Sequence, residues 1–245
     1  MRVLYFDCIS GISGGKALGA LVDAGADLEE IGAHLGRIPV EPFDLNVETG
    51  EFGGVRATRL SIRASDAGVI RTWGSIRTIL DSVGLPEDAH ELARAILLKL
   101  AEAEAVVHHK EVETATFREP SAVEALVAVV GVSLAVTSLG IDRTFSSPVP
   151  TGLGMTRTEH GAMPIPAPAV TEILKGAPLY SRGVPAELVT PTGAAILAIL
   201  CEGFGDMPLL RLDHVGYGAG HLEMDFPDVL RVMIGEASED EEDRQ

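Results

Sequence analysis

The chain has 245 residues, 46% of them hydrophobic and only 4% aromatic. That is enough for a buried core of Ala, Val, Leu and Ile, and too apolar for a disordered chain. Nineteen Lys and Arg against 36 Asp and Glu give a net charge of −17, which excludes nucleic acid and anionic membranes as partners, because both need clustered cations.

In chain order, Val3 to Asp7 reads as a short strand, Ser10 to Gly15 as a glycine-serine loop and Lys16 to Ala24 as a helix, the strand–loop–helix opening of α/β folds. A second helix is expected over 28–35 with Asp27 as its N-cap. Segments 44–48 and 55–62 flank a glycine-rich turn and predict a hairpin. Helices are expected over 72–82, 86–107 and 121–139, the last apolar enough to be buried. Phe145 to Val149 reads as a strand. Pro164 to Pro168 must be extended, because proline fixes φ and disfavours helix before it. Helices follow over 170–174 and 192–202, with Thr192 as N-cap of the second, and strands over 212–217 and 229–234. The expected fold class is α/β: a mixed sheet with packed helices and a small hairpin-bearing subdomain around 40–115, within one domain over 1–236. The acidic tail, 237–245, is expected to be disordered. The N-terminus lacks the pattern of a signal peptide and no segment is long and uninterrupted enough to cross a membrane, so a cytoplasmic protein is expected. Cys8 and Cys201 lie far apart and outside any CxxC pair, which speaks against a disulfide framework or a thiolate metal site.

Four segments could carry chemistry. The loop from Ser10 to Lys16 opens a helix and can face an anion with its backbone N–H groups. It nearly matches a P-loop, but Ser10 stands for the first glycine and Ala17 for the magnesium-holding hydroxyl, so a nucleoside triphosphatase is not expected. His160 lies beside the proline-fixed stretch 164–168, the rigid frame an acid/base group needs. In the segment from Glu187 to Ala195, Thr190 or the free N–H groups of another helix start can hold a carboxylate or phosphate. Gly216 to Gly220 is a glycine-rich turn carrying Tyr217. His108 and His109 point about 100° apart on a helix and cannot easily share one ion.

Taken together, Asp7-x-x-Ser10-Gly11-Ile12-Ser13-Gly14, the stretch from Ser147 to Gly154, the HGxMPxPAPA segment at 160–169, Thr190 to Ala195, and Gly216 to Gly220 followed by 229–232 occur in one order. In that order they resemble the LarC-type nickel-insertion proteins, which load nickel into the pincer nucleotide of lactate racemase and usually continue into a further C-terminal domain associated with CTP binding. The resemblance also exposes departures. The family's SGDM is Ser13-Gly14-Gly15-Lys16 here. Its HFHEVG falls on 116–121, with Thr116 and Arg118 in place of the histidines and Glu119 kept. Its DSIxDIVG falls on 124–131, with Glu124 and Ala128 in place of the aspartates. Arginine cannot coordinate a metal, and a pocket with Lys16 and Arg118 should favour an anion over a divalent cation.

The resulting expectation is a metal-independent enzyme without a cofactor. It would act on a small anionic molecule by cyclisation, isomerisation or elimination. His160, Glu119 and Glu124 would carry the proton transfers, and Asp7, Ser10, Lys16, His108, Arg118, Thr190, Thr192 and Tyr217 would bind substrate. Two alternatives stand beside it. One is nickel insertion into the pyridinium bisthiocarboxylate mononucleotide, with a separate C-terminal partner chain. The other is a non-catalytic partner or decayed paralogue. Association into a homo-oligomer is compatible with all three.

Overall fold

The computed structural model describes residues 1–65, 68–118, 121–158 and 161–237. The elements run β1 (Arg2–Asp7), α1 (Gly14–Asp23), α2 (Leu28–Leu35), β2 (Phe43–Phe52), β3 (Val55–Ala64), β4 (Ile70–Thr72), α3 (Trp73–Ser82), α4 (Glu87–His108), β5 (Thr116–Arg118), α5 (Ser121–Ser138), β6 (Arg143–Ser146) and β7 (Val149–Thr151). They continue with β8 (Met155–Thr158), β9 (Gly161–Pro164), α6 (Pro168–Ile173), β10 (Leu179–Ser181), α7 (Pro191–Leu200), β11 (Gly203–Phe204), β12 (Leu210–Ala219) and β13 (Val229–Ala237). This is an α/β fold.

A mixed sheet of seven strands, ordered β11-β6-β1-β13-β12-β3-β2, forms the frame. β1 lies near its middle, parallel to β6 and antiparallel to β13. Leu4 and Phe6 join the core shared with the helices. Strand alternation turns Tyr5 and Asp7 to the other face of the sheet. The β2–β3 hairpin pairs Phe52 with Val55 around Gly53-Gly54. Both glycines have positive φ, 58° and 82°, as a two-residue turn that matches strand twist requires. Through β3 the hairpin joins β12 in parallel, forming the edge of the main sheet.

Helix α5 is apolar on every side, and Val123, Leu126, Val127, Val130 and Ala135 are buried, as expected for a helix enclosed by others. It packs against α1, α2, α4, α7 and β3. Helix α4 shows the narrower stripe of an amphipathic helix, with Ala89, Ala93, Ile96, Leu97 and Leu100 buried. Its His109 C-cap is left-handed, φ 51°.

The helix signals read from sequence hold locally. Asp27 caps α2, accepting from the N–H groups of Glu29 and Glu30 at 2.9 and 3.1 Å. Three expectations need correction. Helix α7 is capped by Thr190 rather than Thr192. Thr190 Oγ1 accepts from Gly193 N–H at 3.2 Å, and Pro191, whose φ is preset for a helix and which has no N–H to leave unpaired, takes the first helical position. The strand expected over 145–149 is two strands, β6 and β7, because Pro148 has no N–H for a ladder and the chain there turns from β6's partners to β10. Helix α6 begins at Pro168 rather than at 170. Strand β13 runs through Ala237, whose N–H donates to the Met1 carbonyl at 3.0 Å. The remaining tail lies outside the described residues.

Candidate functional site

The starts of α1 and α7 meet beside α5. Ile12 bridges Val189, and the Thr190 N–H donates to the Ile12 carbonyl at 3.1 Å, so the segments entering α1 and α7 run side by side. The approach is close. A Cβ on Gly14 would stand 3.1 Å from Thr192 Cγ2 and 2.6 Å from the Cβ of Ala128 on α5, so glycine is what lets the three helices converge. Ser13 caps α1, its Oγ accepting from Lys16 N–H at 3.2 Å. The N–H groups of Gly14, Gly15 and Thr192 have no partner within their helices, and their dipoles add at this point.

A cleft of about 800 Å³ opens above these helix starts, within the range of pockets that enclose small organic ligands. Ser13 to Lys16 and Thr190 to Thr192 line it from the helix starts. Leu60 to Arg63 of β3, the last turns of α4 with Glu104 and His108, and the first turns of α5 with Glu124 and Ala128 form the walls. Thr116, Met163, Glu187 and His221 complete it. The positions where the family resemblance expects metal-binding side chains, Thr116, Glu124 and Ala128, therefore share this cleft with the opening loop.

The polar groups divide by charge. Glu104 Oε2 lies 3.3 Å from His108 Nε2, one helical turn apart on α4. Burial pushes the Glu124 carboxyl up, partly offset by the backbone N–H of Ala64. Burial also pushes the Glu187 carboxyl up, with no opposing partner. The His221 imidazole is pushed down by burial and then by Arg59, so it stays neutral at physiological pH, with Nε2 3.1 Å from Ser61 Oγ. Among the described residues, no three His, Cys, Asp or Glu stand together as a metal site.

Lys16 sits differently from the expectation that it offers its charge to a ligand. Its ammonium is buried, donating to Asp228 Oδ1 at 2.6 Å and to the Ser10 carbonyl at 2.9 Å. Burial lowers its pKa and Asp228 opposes that shift. What Lys16 contributes to the cleft is its place in the first turn of α1, while its charge is already neutralised. Ser10 is part of the same network, donating from Oγ to Asp228 Oδ1 at 3.2 Å and to the Val229 carbonyl at 2.8 Å. Asp7 and Tyr217 do not line the cleft. Asp7 accepts from Arg231 Nε at 2.9 Å, and Arg231 also bonds the Tyr217 side chain, across the β1–β13–β12 registers.

Among the expected residues, the cleft thus brings together Lys16, His108, Glu124, Thr190 and Thr192. Glu119 and His160 lie outside the described residues, as does the side chain of Arg118. Sequence reading passed over Glu104, Arg63 and His221, and gave Glu187 no role within the segment that it opens. The i,i+4 spacing of Glu104 and His108 is a legible helical pair. Arg63 is one strand residue among many, and His221 follows the glycine-rich segment, which is the end of strand β12 through Ala219 rather than a turn, with no signal of its own.

The nickel insertion protein family model matches residues 4–245, and the chain belongs to that family. A pyridinium-3,5-bisthiocarboxylic acid mononucleotide nickel insertion protein of Desulfitobacterium hafniense strain DCB-2 is 38% identical over 245 residues, covering 100% of this chain and 61% of that protein. The protein of the same name from strain Y51 is 37% identical over 245 residues, with the same coverage. The chain therefore spans about 61% of the length of these relatives. No solved structure matches.

Proposed function

From membership of the nickel insertion family, we propose that the chain binds the pyridinium-3,5-bisthiocarboxylic acid mononucleotide in the 800 Å³ cleft and that nickel is joined to the nucleotide there. The observation that carries this reading is the meeting of the α1 and α7 starts in one cleft. A mononucleotide bears a phosphate, and the N–H groups of Gly14, Gly15 and Thr192 with the added helix dipoles suit an anion. Arg63, which also lines the cleft, adds a planar cation matched to phosphate or carboxylate.

Nickel is the second substrate. The nucleotide brings its own lasting donors, two thiocarboxylate groups, and nickel accepts such N, O and S ligands readily. A chain whose described residues hold no three-ligand cluster suits a process in which the metal is handed to the substrate rather than kept. The relatives' names specify nickel; the comparisons give no support to a metal-independent lyase or cyclase, and nickel insertion takes the place of that reading.

The test is direct. The purified chain, incubated with the bisthiocarboxylate mononucleotide and a nickel(II) salt, should yield the nickel-bearing nucleotide by mass spectrometry, faster than nucleotide and nickel alone. Failure of the chain to bind the mononucleotide at millimolar concentration, together with no product, would refute the reading.

A further inference from the structure

Among the described residues, three carboxylates line the cleft: Glu104, Glu124 and Glu187. Two of them have partners. Glu104 faces His108, and Glu124 accepts from the Ala64 backbone. Glu187 is half-buried and, among the described residues, has neither a hydrogen bond nor an ion pair. It stands three residues before Thr190, the cap of α7, and is joined to it by buried Leu188 and Val189. Its backbone is therefore held by the segment that bridges to Ile12. A carboxyl kept in a partly dry cleft without a partner loses stability relative to one in water. Such a group is retained where its proton affinity has a use.

The proposed reaction supplies that use, and the inference rests on that reading. Thiocarboxylates at ring positions 3 and 5 flank position 4, so a metal held by both sulfurs is brought against the carbon between them. We propose that Glu187 is the base that removes the hydrogen from this ring carbon as nickel bonds to it. The C–H bond breaks, its electron pair forms the nickel–carbon bond, and the proton passes to the Glu187 carboxylate. Nickel remains divalent, so no oxidant or reductant is consumed. The positive ring nitrogen favours the step by stabilising charge at the carbon. Burial, which raises the proton affinity of Glu187, brings the carboxylate closer to the operating pH, where a general base is most effective.

The substitution Glu187→Gln preserves shape and mimics the protonated carboxyl, so the fold should tolerate it. The expected result is mononucleotide affinity within about twofold of the parent, by calorimetry, with nickel-bearing nucleotide forming roughly 10²- to 10⁴-fold more slowly, the usual contribution of a general base. Glu187→Ala should be equally slow and should regain rate when acetate is added, which a purely structural role would not allow. If the parent chain forms product and E187Q forms it within threefold of the same rate, the base assignment is overturned while the proposed function stands. If the parent neither binds the mononucleotide nor forms product, the functional reading fails and takes this inference with it.

Discussion

Replacing Lys16 by Met tests whether the opening loop is held by a buried ion pair. The Lys16 and Asp228 side chains are each 5% exposed. Asp228 also accepts from the Leu222 N–H at 2.9 Å and from Ser10, which ties the segment after β12 to the start of α1. With Met at position 16 the aliphatic bulk remains but the carboxylate is left buried without its cation. Breaking a buried pair on one side typically costs about 3–5 kcal/mol. For a chain of this size each kcal/mol shifts the melting temperature by about 2–4 °C, so Lys16→Met should lower it by roughly 6–20 °C. The assay is urea denaturation with thermal melting as a cross-check. In the double variant Lys16→Met/Asp228→Asn the uncompensated charge is gone, and the loss should be smaller than for Lys16→Met alone. A loss below about 1 kcal/mol for Lys16→Met, the range of a solvent-exposed pair, would refute the reasoning.

Gly218→Ala should destabilise the fold by about 3 kcal/mol or more in the same denaturation assay, since the new Cβ would stand 1.9 Å from the Lys16 carbonyl oxygen and 2.7 Å from the Ala20 nitrogen, both backbone atoms. Arg63→Ala should weaken mononucleotide binding by about ten- to a hundredfold in calorimetry, the worth of a charge-assisted hydrogen bond of roughly 1.5–3 kcal/mol, with the melting temperature unchanged. The chain incubated with nickel alone and desalted should retain far less than one ion per chain by elemental analysis; near-stoichiometric retention would show a protein-held site.

Much of the fold was legible because the signals were local. Asp27 before an amphipathic run announced α2, and the long apolar run after residue 121 announced a buried α5. The opening strand, loop and helix followed from apolar residues giving way to glycine and serine. Short strands were not legible. β4 with β5, β8 with β9, and β10 are three or four residues each, too short for an alternating pattern, and they pair only because tertiary packing places them together. The break between β6 and β7 falls at Ser147 and Pro148, and it was not legible because the missing N–H of Pro148 acts only once the strand partners on either side are known.

The site was legible in part. The motif order pointed to the opening loop, to the segment beginning at Thr190 and to position 124, and these do share a cleft. The role of Lys16 was not legible, because its partner Asp228 lies 212 residues away and a lysine at a helix start looks the same whether it faces a ligand or a buried acid. Glu187, the first residue of the segment running to Ala195, was given no role for the opposite reason: what distinguishes it is the absence of a partner among the described residues, a property that exists only in three dimensions.

The most direct test of the central claim is a crystal structure of the chain with the bisthiocarboxylate mononucleotide. The nucleotide should occupy the cleft with its phosphate oxygens within hydrogen-bond distance of the Gly14, Gly15 and Thr192 N–H groups. Nucleotide bound elsewhere, or a cleft filled with the phosphate turned away from all three N–H groups, would contradict it.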